Sequence, residues 1–190
     1  MARKDTEVPY TLRADAIAHM TLEEIKVVLR AADDITGCGG RTLVTLILKG
    51  SKQHSVVKHH LDRSPAYGAL AHVPLDDIRQ RVDWCIIHGY LDIRYEGRLP
   101  VIIYTQKGWI MEKQTRIKEY LTLFNKMLDT GDFNLSFMKD RNREITFELL
   151  DAIEQTHEPR YIPLLDSWAA TDYKKVAARI RKVITSLSGR

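Results

Sequence analysis

The hydrophobic period of the chain changes at Gly89, and that change limits what it can fold into. Before it, Leu75, Ile78, Val82, Cys85 and Ile86 recur at the spacing of one helix face. After it, Tyr90–Tyr95 and Pro100–Thr105 read as two short strands around the turn Glu96-Gly97-Arg98. Two such runs about a glycine turn predict a β-hairpin.

Upstream, the sequence predicts helices. Thr21 and Glu24 stand at capping-box spacing, and Leu22, Ile25, Val28, Leu29 and Ala32 form one stripe, so a first helix is expected over Leu22–Asp34. Thr42–Leu48 is almost wholly apolar and lies between Gly37, Gly39 and Gly40 on one side and Lys49-Gly50-Ser51 on the other, which predicts a buried helix. Pro74-Leu75 opens the next helix, Asp76 and Asp77 suit its positive end, and Gly89 stops it. Asp76, Arg79, Gln80 and Asp83 fall opposite its apolar stripe, so one face is expected to be free. Helices followed by a hairpin give a mostly α fold with a small β wing, the order of a winged helix, a helix-turn-helix type. Tyr95, Arg98 and Leu99 lie at the hairpin turn, where core packing would not select an aromatic, a cation and an apolar side chain together. The turn is therefore the first candidate for contact with DNA.

Four blocks then carry a resemblance: Lys49-Gly50-Ser51-Lys52-Gln53-His54, Tyr67-Gly68, Ile86-Ile87-His88-Gly89-Tyr90-Leu91 and Tyr104-Thr105-Gln106-Lys107-Gly108. In this order they resemble the RecQ C-terminal (RQC) domain, the winged helix of RecQ-family helicases, and the whole chain is similar to small bacterial proteins with a minor form of that domain. The resemblance implies duplex binding, with phosphates held at the loop before the second helix and the start of the third, and the wing tip wedged against the terminal base pair. It assigns Lys49, Ser51 and His54 to phosphate, with Gln53 in the same block. Lys52 and Lys58 lie near enough in sequence to add charge, and His59 and His60 add more below neutral pH. At the wing it points to Arg98 and Leu99, with Tyr95 or Leu99 supplying the face that replaces a lost base stack.

Departures from that family narrow the reading. No Gly-x-x-x-x-Gly-Lys-Ser/Thr occurs, and 190 residues leave no room for two motor lobes, so neither ATP hydrolysis nor any other cofactor chemistry is expected. Only Cys38 and Cys85 are present, which excludes a four-cysteine zinc site. His54, His59 and His60 have no ligand partner at a recognised spacing, so no metal is expected. Asp76-Asp77 and Glu23-Glu24 sit at helix starts for dipole reasons and form no catalytic dyad, which leaves a non-enzyme. Several arginines of the family are His or Lys here, weakening bidentate phosphate recognition. A net charge of +4 suits a modest basic patch and not a protein that coats DNA by charge. No apolar run reaches the ~18 residues of a membrane span, no signal peptide is evident, and the cysteine usage suits the cytoplasm.

Residues 1–20 read as a polar N-terminal arm, 21–109 as the RQC-like winged helix and 110–190 as a helical region. In the last, helices are expected over Trp109–Leu128, Arg143–Gln155, Arg160–Ala170 and Tyr173–Leu187, the final two resembling a HEAT-like pair. Lys174, Lys175, Arg179, Arg181 and Lys182 make the most basic run, either a second DNA-contacting helix or a solvated face over Val176, Ile180, Val183 and Ile184. The leading expectation is a DNA-binding protein of replication or repair that recognises duplex ends, forks or branched DNA, with a helicase or repair protein as partner and a homodimer as an option. A dimeric winged-helix transcriptional regulator is the alternative, against which the acids Asp76, Asp77 and Asp83 count. A protein-interaction module that has lost DNA binding is the third.

Overall fold

The computed structural model describes residues 9–189, which form two compact units divided between Glu112 and Lys113, a boundary inside helix α5. The first unit holds α1 (Leu22–Asp33), α2 (Arg41–Lys49), the short α3 (His54–Val57), a 3₁₀ turn at Leu61–Arg63, α4 (Leu75–Ile87) and the antiparallel strands β1 (Leu91–Glu96) and β2 (Leu99–Tyr104). Helix α5 (Gln106–Thr130) follows. The second unit adds α6 (Arg143–Thr156), α7 (Ile162–Thr171) and α8 (Lys174–Leu187), with 3₁₀ turns at Ser136–Met138 and Pro159–Tyr161.

Helices α1 and α2 have local causes. Thr21 and Glu24 form the capping box of α1: Glu24 N donates to Thr21 Oγ1 (3.2 Å) and Thr21 N to Glu24 Oε2 (2.8 Å). That backbone hydrogen bond from Thr21 lowers the pKa of the Glu24 carboxyl below the ordinary 4.5. The apolar α2 is buried as expected, with Val44, Ile47 and Leu48 fully covered against Val28 and Leu29 of α1 and Ile78, Val82 and Cys85 of α4 in one core. It ends in a Schellman motif: Gly50 takes φ +71°, Gly50 N donates to Ile47 O, and Ser51 N donates to Leu46 O.

Half of the face of α4 expected to be free is covered: Asp76 and Arg79 are exposed, but Gln80 and Asp83 are not. Among residues 9–20, read in sequence as a polar arm, Arg13 N donates to Asp83 Oδ2 (2.9 Å) and Ala16 N donates to Gln80 Oε1 (2.9 Å). Leu12, Ala14 and Ile17 pack on the core and Met20 is buried within it. Arg41 completes the arrangement, its Nη1 reaching both Asp83 oxygens at 2.7 Å and Thr11 O at 2.7 Å. Asp83 and Gln80 are thereby buried, although their polarity marked them as surface residues. Sequence polarity misled because a buried carboxylate supplied with an arginine and a backbone N–H is tolerated.

The hairpin is held at its base. Ile102 N donates to Gly39 O and Gly37 N to Ile102 O, both 2.8 Å, so the glycine segment before α2 runs along β2. A Cβ on Gly40 would lie 2.9 Å from Pro100 O, which explains a glycine there. Tyr104 donates its hydroxyl to Leu29 O (2.6 Å), and its ring lies 5.9 Å from that of Trp109 on α5. At the other end, the His88 ring stacks on Trp84 at 3.7 Å, and Lys107 Nζ sits 3.6 Å over the Tyr90 ring while donating to His88 O (3.1 Å). The stack ties the end of α4 to the start of α5.

In the second unit, Phe124 meets Trp168 edge to face at 5.5 Å, and Trp168 Nε1 donates to Asp172 Oδ2 (2.7 Å). Helix α8 buries Val176, Ala177, Ile180, Val183 and Leu187, and Arg179 reaches Asp151 (2.5 Å) and Glu154 (2.7 Å) on α6. Lys113 Nζ bridges Glu144 (2.6 Å) and Glu148 (2.5 Å), which raises its pKa. The helices expected from sequence are present, with α7 starting two residues later because Pro159–Tyr161 is a 3₁₀ turn.

Candidate nucleic-acid interface

The wing closes over two residues. Glu96 pairs with Leu99, leaving Gly97 and Arg98 as the turn, and Gly97 at the first central position takes φ +61°, the arrangement of a type II′ turn. The turn sequence read as Glu96-Gly97-Arg98 is therefore one residue shorter. Strand alternation sends Leu91, Ile93 and Tyr95 to one face and Asp92, Arg94 and Glu96 to the other. Leu99 lies on the Glu96 side and is 63% exposed, the highest value among the large apolar side chains of the described residues. Arg98 is exposed beside it, and Arg94 pairs with Glu96 at 2.5 Å just below.

Tyr95 does not belong to the tip. It stands opposite Pro100 on the inward face, is only partly exposed, and its ring lies 6.1 Å from that of Tyr10. The aromatic side chain fastens the wing to the segment that precedes Leu12. Of the three residues nominated there, Arg98 and Leu99 are brought together at the tip and Tyr95 is turned away.

The loop residues separate in the same way. Lys49 Nζ donates to Ala71 O (2.6 Å) and Val73 O (2.9 Å), so the ammonium expected at phosphate instead satisfies carbonyls of the loop before α4. Ser51 is partly buried and its Oγ accepts from Gln53 N (3.3 Å). Lys52, Gln53, His54 and Lys58 are all exposed, as are His59, His60 and Arg63 beyond them. Their ammonium, amide and imidazole donors form one basic stretch around α3, with Asp62 as the acid within it. No group of three or more His, Cys, Asp or Glu able to hold a metal occurs among the described residues. Burial pushes the Cys85 thiol up to about 12. No helix of the described residues is long and apolar enough to cross a membrane.

The sequence model of the RQC domain matches residues 21–123, more than half of the chain. The chain belongs to the RQC domain family. Comparison with curated proteins gives no match, and neither does comparison with solved structures. The RQC domain is a non-catalytic winged helix of DNA-binding type, which gives this chain a general DNA-binding role. Within this RQC domain the motif blocks meet in pairs. Tyr67 OH reaches Gly50 O (3.0 Å) and Ser51 O (3.2 Å), joining the first block to the second. Thr105 Oγ1 donates to Gly89 O (2.7 Å) and accepts from Gly108 N (3.1 Å), joining the third to the fourth.

Proposed function

We propose that this RQC protein binds duplex ends, forks or branched DNA without a motor or catalytic centre of its own, in replication or repair, in the cytoplasm. The observation that carries the reading is the wing tip: a two-residue turn with Arg98 beside a Leu99 that is 63% exposed. Exposing a leucine at the end of a hairpin gains nothing for the fold. Set against a terminal base pair, the same side chain supplies the apolar face that offsets a few kcal/mol of unstacking. Lys52, Gln53, His54 and Lys58 are the phosphate contacts in this reading, with Ser51 secondary and Lys49 acting through the loop that it holds.

The regulator alternative loses support from α4. A helix that reads the major groove needs exposed donors and acceptors, whereas Gln80 and Asp83 are buried against residues 11–16 and Arg41, leaving Arg79 and the phosphate-repelling Asp76 exposed on that face. A helicase or repair protein supplies the motor in this proposal.

The test is fluorescence anisotropy with single-stranded, blunt and forked DNA of unrelated sequences at two salt concentrations, comparing wild type with the Arg98→Ala, Leu99→Ala double variant. Tighter, salt-sensitive binding to forks or ends that the variant loses supports the reading. Wild type and variant binding forked and blunt DNA with the same affinity overturns it.

A further inference from the structure

The second unit carries a charged surface that the RQC match, which stops at residue 123, does not account for. From Tyr173 to Arg190 the sequence holds Lys174, Lys175, Arg179, Arg181, Lys182 and Arg190 and no Asp or Glu. Arg179 is engaged by Asp151 and Glu154. Lys174, Lys175, Arg181 and Lys182 are exposed. Seven residues make nearly two turns, so Lys174 lies above Arg181 and Lys175 above Lys182, two cation pairs separated by about 10 Å along the axis.

Two further features set this face apart from an ordinary solvated helix. Lys174 and Lys175 occupy the first turn of α8, which has no acid, although the positive end of the helix dipole disfavours cations there. A local rule broken without structural gain marks a functional site more than a stabilising one. The basic surface also continues off the helix. A cavity of about 210 Å³ at the start of α8 is lined by Tyr173, Asp172, Asp140, Arg141 and Arg143, and Lys139 Nζ lies 5.3 Å from the Tyr173 ring centroid. The two carboxylates there keep their charge while accepting from neutral donors, Asp140 from Tyr173 OH (2.6 Å) and Asp172 from Trp168 Nε1 (2.7 Å) and Tyr173 N (2.6 Å), so the extension rests on Lys139, Arg141 and Arg143 outnumbering them.

We infer that the exposed face of α8, with Arg141 and Arg143 beside its start, is a second DNA-contacting surface that binds the sugar–phosphate backbone independently of sequence and of strand ends. The inference rests on the DNA-binding reading and divides the labour within it. The wing selects the structure, and α8 adds affinity by displacing counterions.

The experiment uses the full chain and a dumbbell duplex, closed at both ends by loops, which offers the wing no open terminus. Affinity is measured by anisotropy across about 50 to 200 mM salt. The Arg181→Ala, Lys182→Ala variant is compared with Lys118→Ala, Lys126→Ala, which removes equal charge from exposed positions of α5 in the same unit. The expected result is a slope of log affinity against log salt reduced by about 2 in the α8 variant and unchanged in the α5 variant. Equal slopes in the two variants overturn the inference, as does loss of dumbbell binding that tracks net charge alone. Preference for forks over blunt duplex is read in parallel with the Arg98→Ala, Leu99→Ala protein. A lost fork preference with an unchanged α8 slope overturns the α8 surface and leaves the wing reading standing. The reverse pattern overturns the wing reading alone.

Discussion

Gly50 and Gly68 touch through their backbones: a Cβ on Gly50 would lie 3.0 Å from Gly68 Cα. The two glycines come from separate motif blocks, and both have φ +71°. Gly50 ends α2, and Gly68 N donates to Ile47 O (2.9 Å) in the same helix end, so neither chain can move away. Alanine at Gly50 meets both the left-handed backbone penalty and a tight contact that the Gly68 backbone must give way to by a few tenths of an ångström, whereas at Gly68 the new Cβ has an ordinary 3.8 Å neighbour. Gly50→Ala is expected to cost about 2–3 kcal/mol and Gly68→Ala about 1 kcal/mol. Urea denaturation of the two variants checks the order.

Gly108 is more constrained still. It lies in the first turn of α5, and its Cβ would lie 1.9 Å from Tyr90 O. Because the obstacle is backbone, the helix start must shift, breaking the Thr105 cap and the Lys107 contact with Tyr90. Gly108→Ala is expected to cost more than 3 kcal/mol, on the order of a severe overpacking. Gly97→Ala, where nothing lies within 4 Å, should cost about 1 kcal/mol from its positive φ alone. Comparable midpoints for these two variants would contradict the geometry.

Asp83 organises the segment before α1. Its side chain is 1% exposed and is satisfied by Arg41 and by the Arg13 amide. Arg41→Ala leaves a buried carboxylate short of its charged partner, at an expected cost of about 3 kcal/mol. The amide of Arg13 should exchange with solvent markedly faster in that variant than in wild type, and the Ala16 amide, held by Gln80, less so. Hydrogen exchange read at these two amides separates local release from global unfolding.

Two glutamates contribute to the acid response. The backbone hydrogen bond from Thr21 lowers the pKa of Glu24, and the hydrogen bond from Arg179 lowers that of Glu154. A carboxylate whose pKa is lower folded than unfolded binds fewer protons in the native state. Its contribution is therefore complete above the ordinary value of 4.5 and is lost as pH falls through the folded value. The melting temperature of wild type should drop more between pH 7 and pH 4 than that of the Glu24→Gln, Glu154→Gln variant, which starts lower. Parallel curves would remove these groups from the acid response.

The winged helix was legible because its evidence is local. Capping residues at Thr21 and Glu24, the apolar run of α2 and the change of period at Gly89 each report on neighbouring residues. The buried role of Asp83 was not legible, because its partners lie 42 and 70 positions away and no short-range pattern marks them. Gly50 sits beside Lys49 and Ser51, both nominated for phosphate, yet its contacts, like those of Gly68 and Gly108, are with other parts of the fold. Strand parity, fixed once the register is known, turned Tyr95 inward while leaving Leu99 at the tip.

Lys49 and Lys52 test how the basic loop is divided between fold and ligand. Lys49 donates to the carbonyls of Ala71 and Val73, while Lys52 is exposed three residues further on. Removing Lys49 takes two hydrogen bonds from a charged donor off the loop that leads into α4, so Lys49→Ala is expected to lower stability by about 1–2 kcal/mol. The salt slope of DNA binding should stay unchanged, because no phosphate contact goes with it. Lys52→Ala should leave stability within about 0.5 kcal/mol of wild type, as exposed substitutions do. Its salt slope should fall by about 1, the signature of one phosphate contact. Urea denaturation and salt-dependent anisotropy on the same two variants give four readings. An unchanged slope for Lys52→Ala together with a reduced one for Lys49→Ala would return the phosphate role to Lys49.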